Sequence, residues 1–456
     1  MIEKNKEYVV DIIDNGYEGE GIAKIEDFAI FIPGVIKGEK CKILIVKVLK
    51  SFAFGKVVEI LNHSKARAEV DCGTYKRCGG CNLRHIEYET TLEMKKNNVQ
   101  NLVNKTLNNK IEVSNVLGMG NPYNYRNKAQ FPVGFEKDGI TPIMGIFAER
   151  THEIVSMRNC MIHNPISEKI SNFIFGFIKQ NNISPYNEKT GKGVLRHILI
   201  KVGIRTHEVM CVLIVNEENF KKEQELVQEL TKEFPEIKTI IKNINTKNTN
   251  VILGEKDEIL YGDGFIYDKL GDYTFKISAK SFYQINPVQT EALYNIGMEL
   301  ADISENDIVY DLYCGIGTIG IFASKYAKKV YGIEIVEQAI VDAKQNAIIN
   351  NVKNIEFFSG DVEETFEKIL NEKNHKPDVL IVDPPRKGLD INTIGNIIKY
   401  SPEKIVYISC NPATLIRDLK LLEEKYEIKK IQPVDMFPFT THVECVCFLK
   451  RREMNL

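Results

Sequence analysis

"IVYDLYCGIGTIGIFAS", residues Ile308 to Ser324, decides the fold. An apolar run of strand length ends at Asp311, passes a Gly-x-Gly turn at Gly315 and Gly317, and resumes with helical spacing. Glycine lets a backbone turn sharply and approach a ligand where a side chain would clash. By itself the segment is a weak signal, because it lacks the full glycine spacing of a dinucleotide site. Its surroundings repeat the pattern. "VYGIEI" (330–335), "IEFFSGD" (355–361), "DVLIVDPPR" (378–386) and "KIVYISCNP" (404–412) are apolar runs that each end in a polar or glycine-rich turn. Strands alternating with helices predict an α/β, doubly wound parallel sheet from about residue 276, with ligands bound outside the carboxyl ends of its strands.

Acids cluster at those ends. Glu334 is placed to accept hydrogen bonds from ribose hydroxyls, Asp361 suits an adenine amino edge, and Asp383 ends the fourth strand. With Asp311, and without a phosphate-binding lysine motif, the set favours a nucleoside carrying positive charge. S-adenosylmethionine has that character: a sulfonium, an ammonium and no phosphate. Upstream, "SFYQINPVQTEALY" (281–294) offers Asn286 as a helix N-cap and Pro287 as its first residue, with Gln284 just before them to meet the ligand from above.

Cys410 ends the last of these runs, ahead of Asn411, Pro412 and a stretch of helical periodicity. A free cysteine is more often a small buried hydrophobe than a nucleophile. At a helix N-terminus, however, its pKa is expected to fall and thiolate to be favoured. Glu444, in "THVECVCFLKRR" (441–452), interrupts an apolar strand. A carboxylate there needs a partner or a task, and burial would raise its pKa toward general-base range. A thiol, a base and a methyl donor fit one reaction: thiolate addition at C6 of uracil makes C5 nucleophilic, C5 takes the methyl group, and the base removes the C5 proton. The ring face must be reached, so the base has to leave its stack.

The remainder divides in two. Residues 1–62 alternate apolar and polar positions between turn signals, as a small β-barrel of five strands would. Between Lys37 and Lys56 lie six lysines and the single acid Glu39. Residues 63–275 read as α+β, opening with "CGTYKRCGGC" (72–81). Cys72, Cys78 and Cys81, with Cys160 as fourth partner, could hold zinc or a [4Fe–4S] cluster; spacing alone leaves both open. "YNYRNKAQFPVG" (123–134) joins aromatic and basic residues, and Arg126, Asn127, Lys128 and Phe131 are candidates to grip phosphates and stack a base.

Together "FYQIN", "DLYCGIGTIG", "DPPRKG", "SCNP" and "HVECV", in this order, resemble the RNA uracil-5 methyltransferase family, and the N-terminal pattern resembles its TRAM domain. The resemblance implies a Rossmann-like class I methyltransferase domain at 276–456, behind a TRAM/OB-like barrel and a central α+β domain bearing a four-cysteine cluster. It implies that Gln284, Tyr313, Glu334, Asp361 and Asp383 contact S-adenosylmethionine, that Cys410 is the nucleophile and that Glu444 is the base. It turns the cysteine choice toward iron–sulfur and gives the 123–134 strip to RNA. It favours 23S ribosomal RNA as substrate over tRNA, because the tRNA branch usually lacks both N-terminal features. Two other readings compete: an amino-group methyltransferase using "DPPR" without a covalent nucleophile, and a non-enzymatic iron–sulfur RNA-binding protein. The first predicts turnover without Cys410, the second no methyl-donor binding. The mixed-charge N-terminus and the lack of an apolar run near the roughly 20 residues of a membrane span place the chain in the cytoplasm, expected as a monomer. The formal net charge of −2 argues neither for nor against a nucleic-acid partner, since local charge decides that.

Overall fold

The computed structural model describes residues 2–373 and 375–453. At the N-terminus, strand Glu7–Asp11 pairs antiparallel with Lys40–Val48, while its continuation Asp14–Asn15 pairs with Gly21–Ile25. Between them the Ile12 amide donates to Glu39 O and the Ile13 amide to Ile22 O, each at 2.8 Å. One bent strand thus serves both edges and closes the sheet through Phe28–Ile32 and Phe52–Asn62. The six hydrogen-bonded segments are the five strands the sequence predicts, with the first counted twice. Closure removes the sheet edges, and Ile30, Ile32, Ile43, Ile45 and Ala53 fill the interior.

A seven-stranded central sheet runs, edge to edge, through Lys256–Tyr261, Ile237–Ile244, Val209–Val215, Leu195–Val202, Lys128–Phe135, Pro142–Phe147 and Ile154–Ser156. Helices Pro165–Gln180 and Glu223–Glu233 cover it. The long helix Tyr88–Thr106 packs elsewhere: Val99 and Val103 join Leu415 and Leu419 in the core beneath the C-terminal sheet.

That sheet holds, in chain order, Ile308–Leu312, Lys329–Glu334, Ile355–Ser359, Val379–Val382, Lys404–Ser409, Tyr426–Val434 and Glu444–Arg451. Its spatial order is third, second, first, fourth, fifth, seventh, sixth. The first five strands are parallel, and Glu444–Arg451 inserts antiparallel beside the fifth. Strand order reverses between the first and fourth strands, which opens a crevice at their carboxyl ends. Among the described residues no helix is long and apolar enough to cross a membrane.

Candidate active site

The turn after the first strand opens the crevice. Tyr313 takes a left-handed conformation at φ 67°, followed by Gly315 at 53° and Gly317 at 82°. A Cβ on Gly317 would lie 2.7 Å from the Phe357 ring, so the sharp turn and its close packing require glycine there. The Gly315 amide donates to Glu334 Oε2 at 3.2 Å and the Val336 amide to Oε1 at 2.9 Å, which orients that carboxylate at its strand end. Asp361 accepts from the Glu363 amide at 2.9 Å. Asn286 and Pro287 take the cap positions the sequence predicts, and the Asn127 side chain donates to Gln284 O at 2.8 Å, fixing that segment over the crevice.

Gln284, Tyr313, Glu334, Asp361, Asp383, Cys410 and Glu444 all line one cavity of about 650 Å³. Burial lifts the Asp383 carboxyl to about 7. Burial, with Asp383 beside it, lifts Glu444 to about 8, the direction the sequence predicts, and Arg386 opposes the shift. For Cys410 the expected direction is reversed. Asn411 caps the following helix, accepting from the Ala413 amide at 3.1 Å. Yet burial and the carboxylates of Glu444 and Asp383 raise the thiol pKa, against Arg386. Burial beside two acids opposes the effect expected of the helix terminus.

Sequence reasoning passed over several residues of this cavity. Phe282 lines it while 68% exposed, within the same motif as Gln284. Arg386 and His442 also line it, and with Cys410 they line a second cavity of about 710 Å³, against Tyr17, Phe31 and Phe54 of the barrel. Asp311, the fourth strand-end acid of the sequence, stands apart from the other three: it lies fully buried beneath the turn, its carboxyl raised well above the usual range by burial and by Asp383.

Cys72, Cys78, Cys81 and Cys160 line a separate cavity of about 310 Å³ with Arg84, Arg126 and His163. Among the described residues no three His, Cys, Asp or Glu side chains converge to hold a metal ion. The cavity wall does carry orphaned nitrogens: Arg84 Nη1, Arg126 Nε and His163 Nδ1 are buried without a hydrogen-bond partner. The 123–134 strip does not behave as a unit. Phe131 is 1% exposed, inside the central core and edge-on to His163, so it is not available to stack a base. Asn127 is buried and engaged with Gln284. Arg126 faces the cysteine cavity, and Lys128 lines both that cavity and the one holding Cys410.

Known proteins resemble the chain over nearly its full length. The chain is 46% identical over 454 residues to an uncharacterized RNA methyltransferase of Clostridium acetobutylicum, covering 99% of this chain and 98% of that one. It is 44% identical over 457 residues to one of Oceanobacillus iheyensis, covering 100% and 98%. The crystal structure of Pyrococcus abyssi tRNA (uracil-54, C5)-methyltransferase, in complex with S-adenosyl-L-homocysteine, superposes with a TM-score of 0.76 at 28% identity, over 97% of this chain and 99% of that one. Residues 3–58 match the TRAM domain. With residues 87–452 matching its pattern, the chain belongs to the tRNA (uracil-5-)-methyltransferase family.

Proposed function

We propose that this protein transfers a methyl group from S-adenosylmethionine to C5 of a uridine in folded RNA through a covalent bond to Cys410. The observation that carries the proposal is the meeting of Cys410 and Glu444 in the cavity where the strand-end acids converge. Glu334 and Asp361 hold the ribose and adenine of the donor, and Gln284, Tyr313 and Asp383 close around it; the donor supplies an electrophilic methyl on sulfonium. Cys410 Sγ, its proton released to solvent at the half-buried thiol, adds to C6 of the uracil. The ring electrons pass to C5, which takes the methyl group as the S–CH3 bond breaks and S-adenosylhomocysteine leaves. Glu444 accepts the C5 proton, the C6–S bond breaks, and the thiolate is regenerated. A carboxyl near 8 sits close to working pH, as a base that must be both unprotonated and strong enough requires.

The four-cysteine region is assigned a [4Fe–4S] cluster. The choice over zinc follows the resemblance; in its support, all four cysteines line one cavity, and two buried guanidinium nitrogens without a partner, Arg84 Nη1 and Arg126 Nε, belong to residues of the same lining, as an anionic thiolate-bound group would require. Its role would be structural, or one in RNA contact.

For the substrate we take 23S ribosomal RNA first, on the resemblance to the branch that combines TRAM and four cysteines. The presence of the N-terminal region does not settle the choice, since the archaeal tRNA enzyme matches over 97% of this chain. That match favours a second reading, uridine in tRNA. The covalent step is tested with a 5-fluorouridine RNA and the donor: a denaturation-resistant adduct is expected with the wild type and none with Cys410→Ala. Methyl transfer by Cys410→Ala would favour an amino-group enzyme. Mass-spectrometric mapping of 5-methyluridine in RNA from cells lacking the gene separates ribosomal from transfer RNA.

A further inference from the structure

The approach to Glu444 is gripped by the segment that carries the cysteines. Phe439 takes a left-handed conformation, φ 63°, which costs a bulky residue about 1–3 kcal/mol and persists only under constraint. The constraint comes from residues 82–84. The amides of Asn82 and Leu83 both donate to Phe439 O at 3.0 Å, and the Thr441 amide donates to Asn82 Oδ1 at 3.0 Å. The Arg84 guanidinium lies 4.4 Å from the centre of the Phe439 ring and 5.3 Å from that of Tyr123. Phe439 belongs to a small apolar cluster with Tyr125 and Ile162, against which Cys81 and Cys160 pack.

Arg84 is 4% exposed, and two of its three nitrogens are accounted for. Nε and Nη2 donate to the two oxygens of Asp71 at 2.6 and 2.7 Å. Nη1 is buried and unpaired, on a residue that lines the cysteine cavity. An unpaired buried guanidinium nitrogen calls for an acceptor, and the cavity it borders is ringed by thiols.

We propose that Arg84 is a positioning residue. Its Nη1 donates to the anionic thiolate-bound group held by Cys72, Cys78, Cys81 and Cys160, and its face carries Phe439, so that occupancy of the cavity sets the position of Glu444 five residues further on. The inference rests on the reading of Glu444 as the base and of the cysteines as a cluster site. It differs from that reading in what it forbids: with the clamp broken, Cys410 still adds and the methyl group still transfers, but removal of the C5 proton slows. Misplacing a reacting group by about 1 Å costs on the order of 100-fold.

The test uses the full chain, total RNA from cells lacking the gene and S-adenosylmethionine labelled in its methyl group. Wild type, Arg84→Met and Phe439→Leu are compared for the rate of forming a labelled, denaturation-resistant adduct and for the rate of its release. Both variants are expected to form adduct within about threefold of wild type and to release it about 10- to 100-fold more slowly. Phe439→Leu breaks the stack and leaves every cysteine and Arg84 in place, so it decides the matter if Arg84→Met does not fold. A second readout needs no turnover: hydrogen exchange of amides 437–443 in protein as isolated, with its iron and sulfide assayed, and after removal of the metal by oxidation and chelation. Exchange about tenfold faster in the stripped protein and in Arg84→Met is expected. Release at the wild-type rate in both variants, equal protection with and without metal, or a protein isolated without iron or zinc would each overturn the proposal. Failure of the wild type to form any adduct would instead overturn the covalent mechanism.

Discussion

Lys95 and Asp435 form a buried ion pair, Nζ to Oδ1 2.5 Å, between positions 340 residues apart. Tyr88 donates to the other carboxylate oxygen at 2.8 Å, and Lys95 donates also to Phe437 O at 3.2 Å. Helix Tyr88–Thr106 is thereby pinned to the loop that leads to Glu444. Removing one partner strands the other charge away from water. Lys95→Met is therefore expected to lower stability by about 3–5 kcal/mol, while Lys95→Met with Asp435→Leu restores much of it. Urea denaturation of Lys95→Met, Asp435→Leu and the double variant gives the values; additive losses would show that the two groups do not interact.

Cys410 and Glu444 act at different steps, so their loss should look different. Cys410→Ala forms no adduct and no product. Glu444→Gln keeps the thiol and removes one of the charges that raise its pKa. The variant should form the methylated adduct at a rate near wild type and then stall, with turnover reduced by about 100-fold or more. Gel electrophoresis under denaturing conditions separates the cases. Free turnover by Glu444→Gln would remove this residue from the proton-transfer step.

Glu444 and Asp383 also set the response to pH. With Glu444 near 8, kcat/KM for RNA is expected to rise with pH through about 8, as the free enzyme's base loses its proton. Stability runs the other way. A buried carboxyl whose pKa exceeds its unfolded value binds its proton more tightly in the fold, so its contribution is full at low pH and lost as pH rises through the folded value. From about 4.5 to about 8, Glu444 alone accounts for on the order of 5 kcal/mol. The protein without ligand should therefore denature more easily at pH 9 than at pH 6, and Glu444→Gln should flatten that difference. A stability curve unchanged by this substitution would refute the assigned burial cost.

What was legible in the sequence, and what was not, follows the range of the interaction. The C-terminal sheet could be read because each strand announces itself locally, by an apolar run ending in Asp311, Glu334, Asp361, Asp383 or Cys410. The caps at Asn286 and Asn411 are likewise local, a side chain answering an amide two or three residues on. The raised thiol of Cys410 was not legible, because its causes are burial in the folded cavity and then the charges of Glu444 and Asp383, at the ends of other strands. Phe131 misleads for a related reason. Its strand is covered on its apolar face by helix Pro165–Gln180, and nothing within residues 123–134 shows that cover. The grip of residues 82–84 on the loop before Glu444 joins positions 359 residues apart, and no local pattern encodes it.

Gly19 offers a test of how the barrel meets the catalytic domain. It sits in the loop between the barrel's first strand and Gly21–Ile25, at φ 85°. A Cβ there would stand 2.6 Å from Leu83 Cδ2 and 3.1 Å from Thr441 Cγ2, so the loop lies directly on the clamp and on the approach to Glu444. Leu83 is 1% exposed and has little room to withdraw. Gly19→Val would combine an unfavourable backbone conformation, about 1–3 kcal/mol, with a collision that pushes the loop outward. Tyr17 and Phe31 would then move away from the cavity they share with Cys410 and Arg386. The barrel core lies on the far side of these strands and should survive. S-adenosylmethionine affinity by calorimetry is expected within about twofold of wild type, with kcat/KM for RNA lower by about tenfold or more. Equal loss of both would place the damage in the fold; no loss of either would mean that barrel and catalytic domain engage RNA independently.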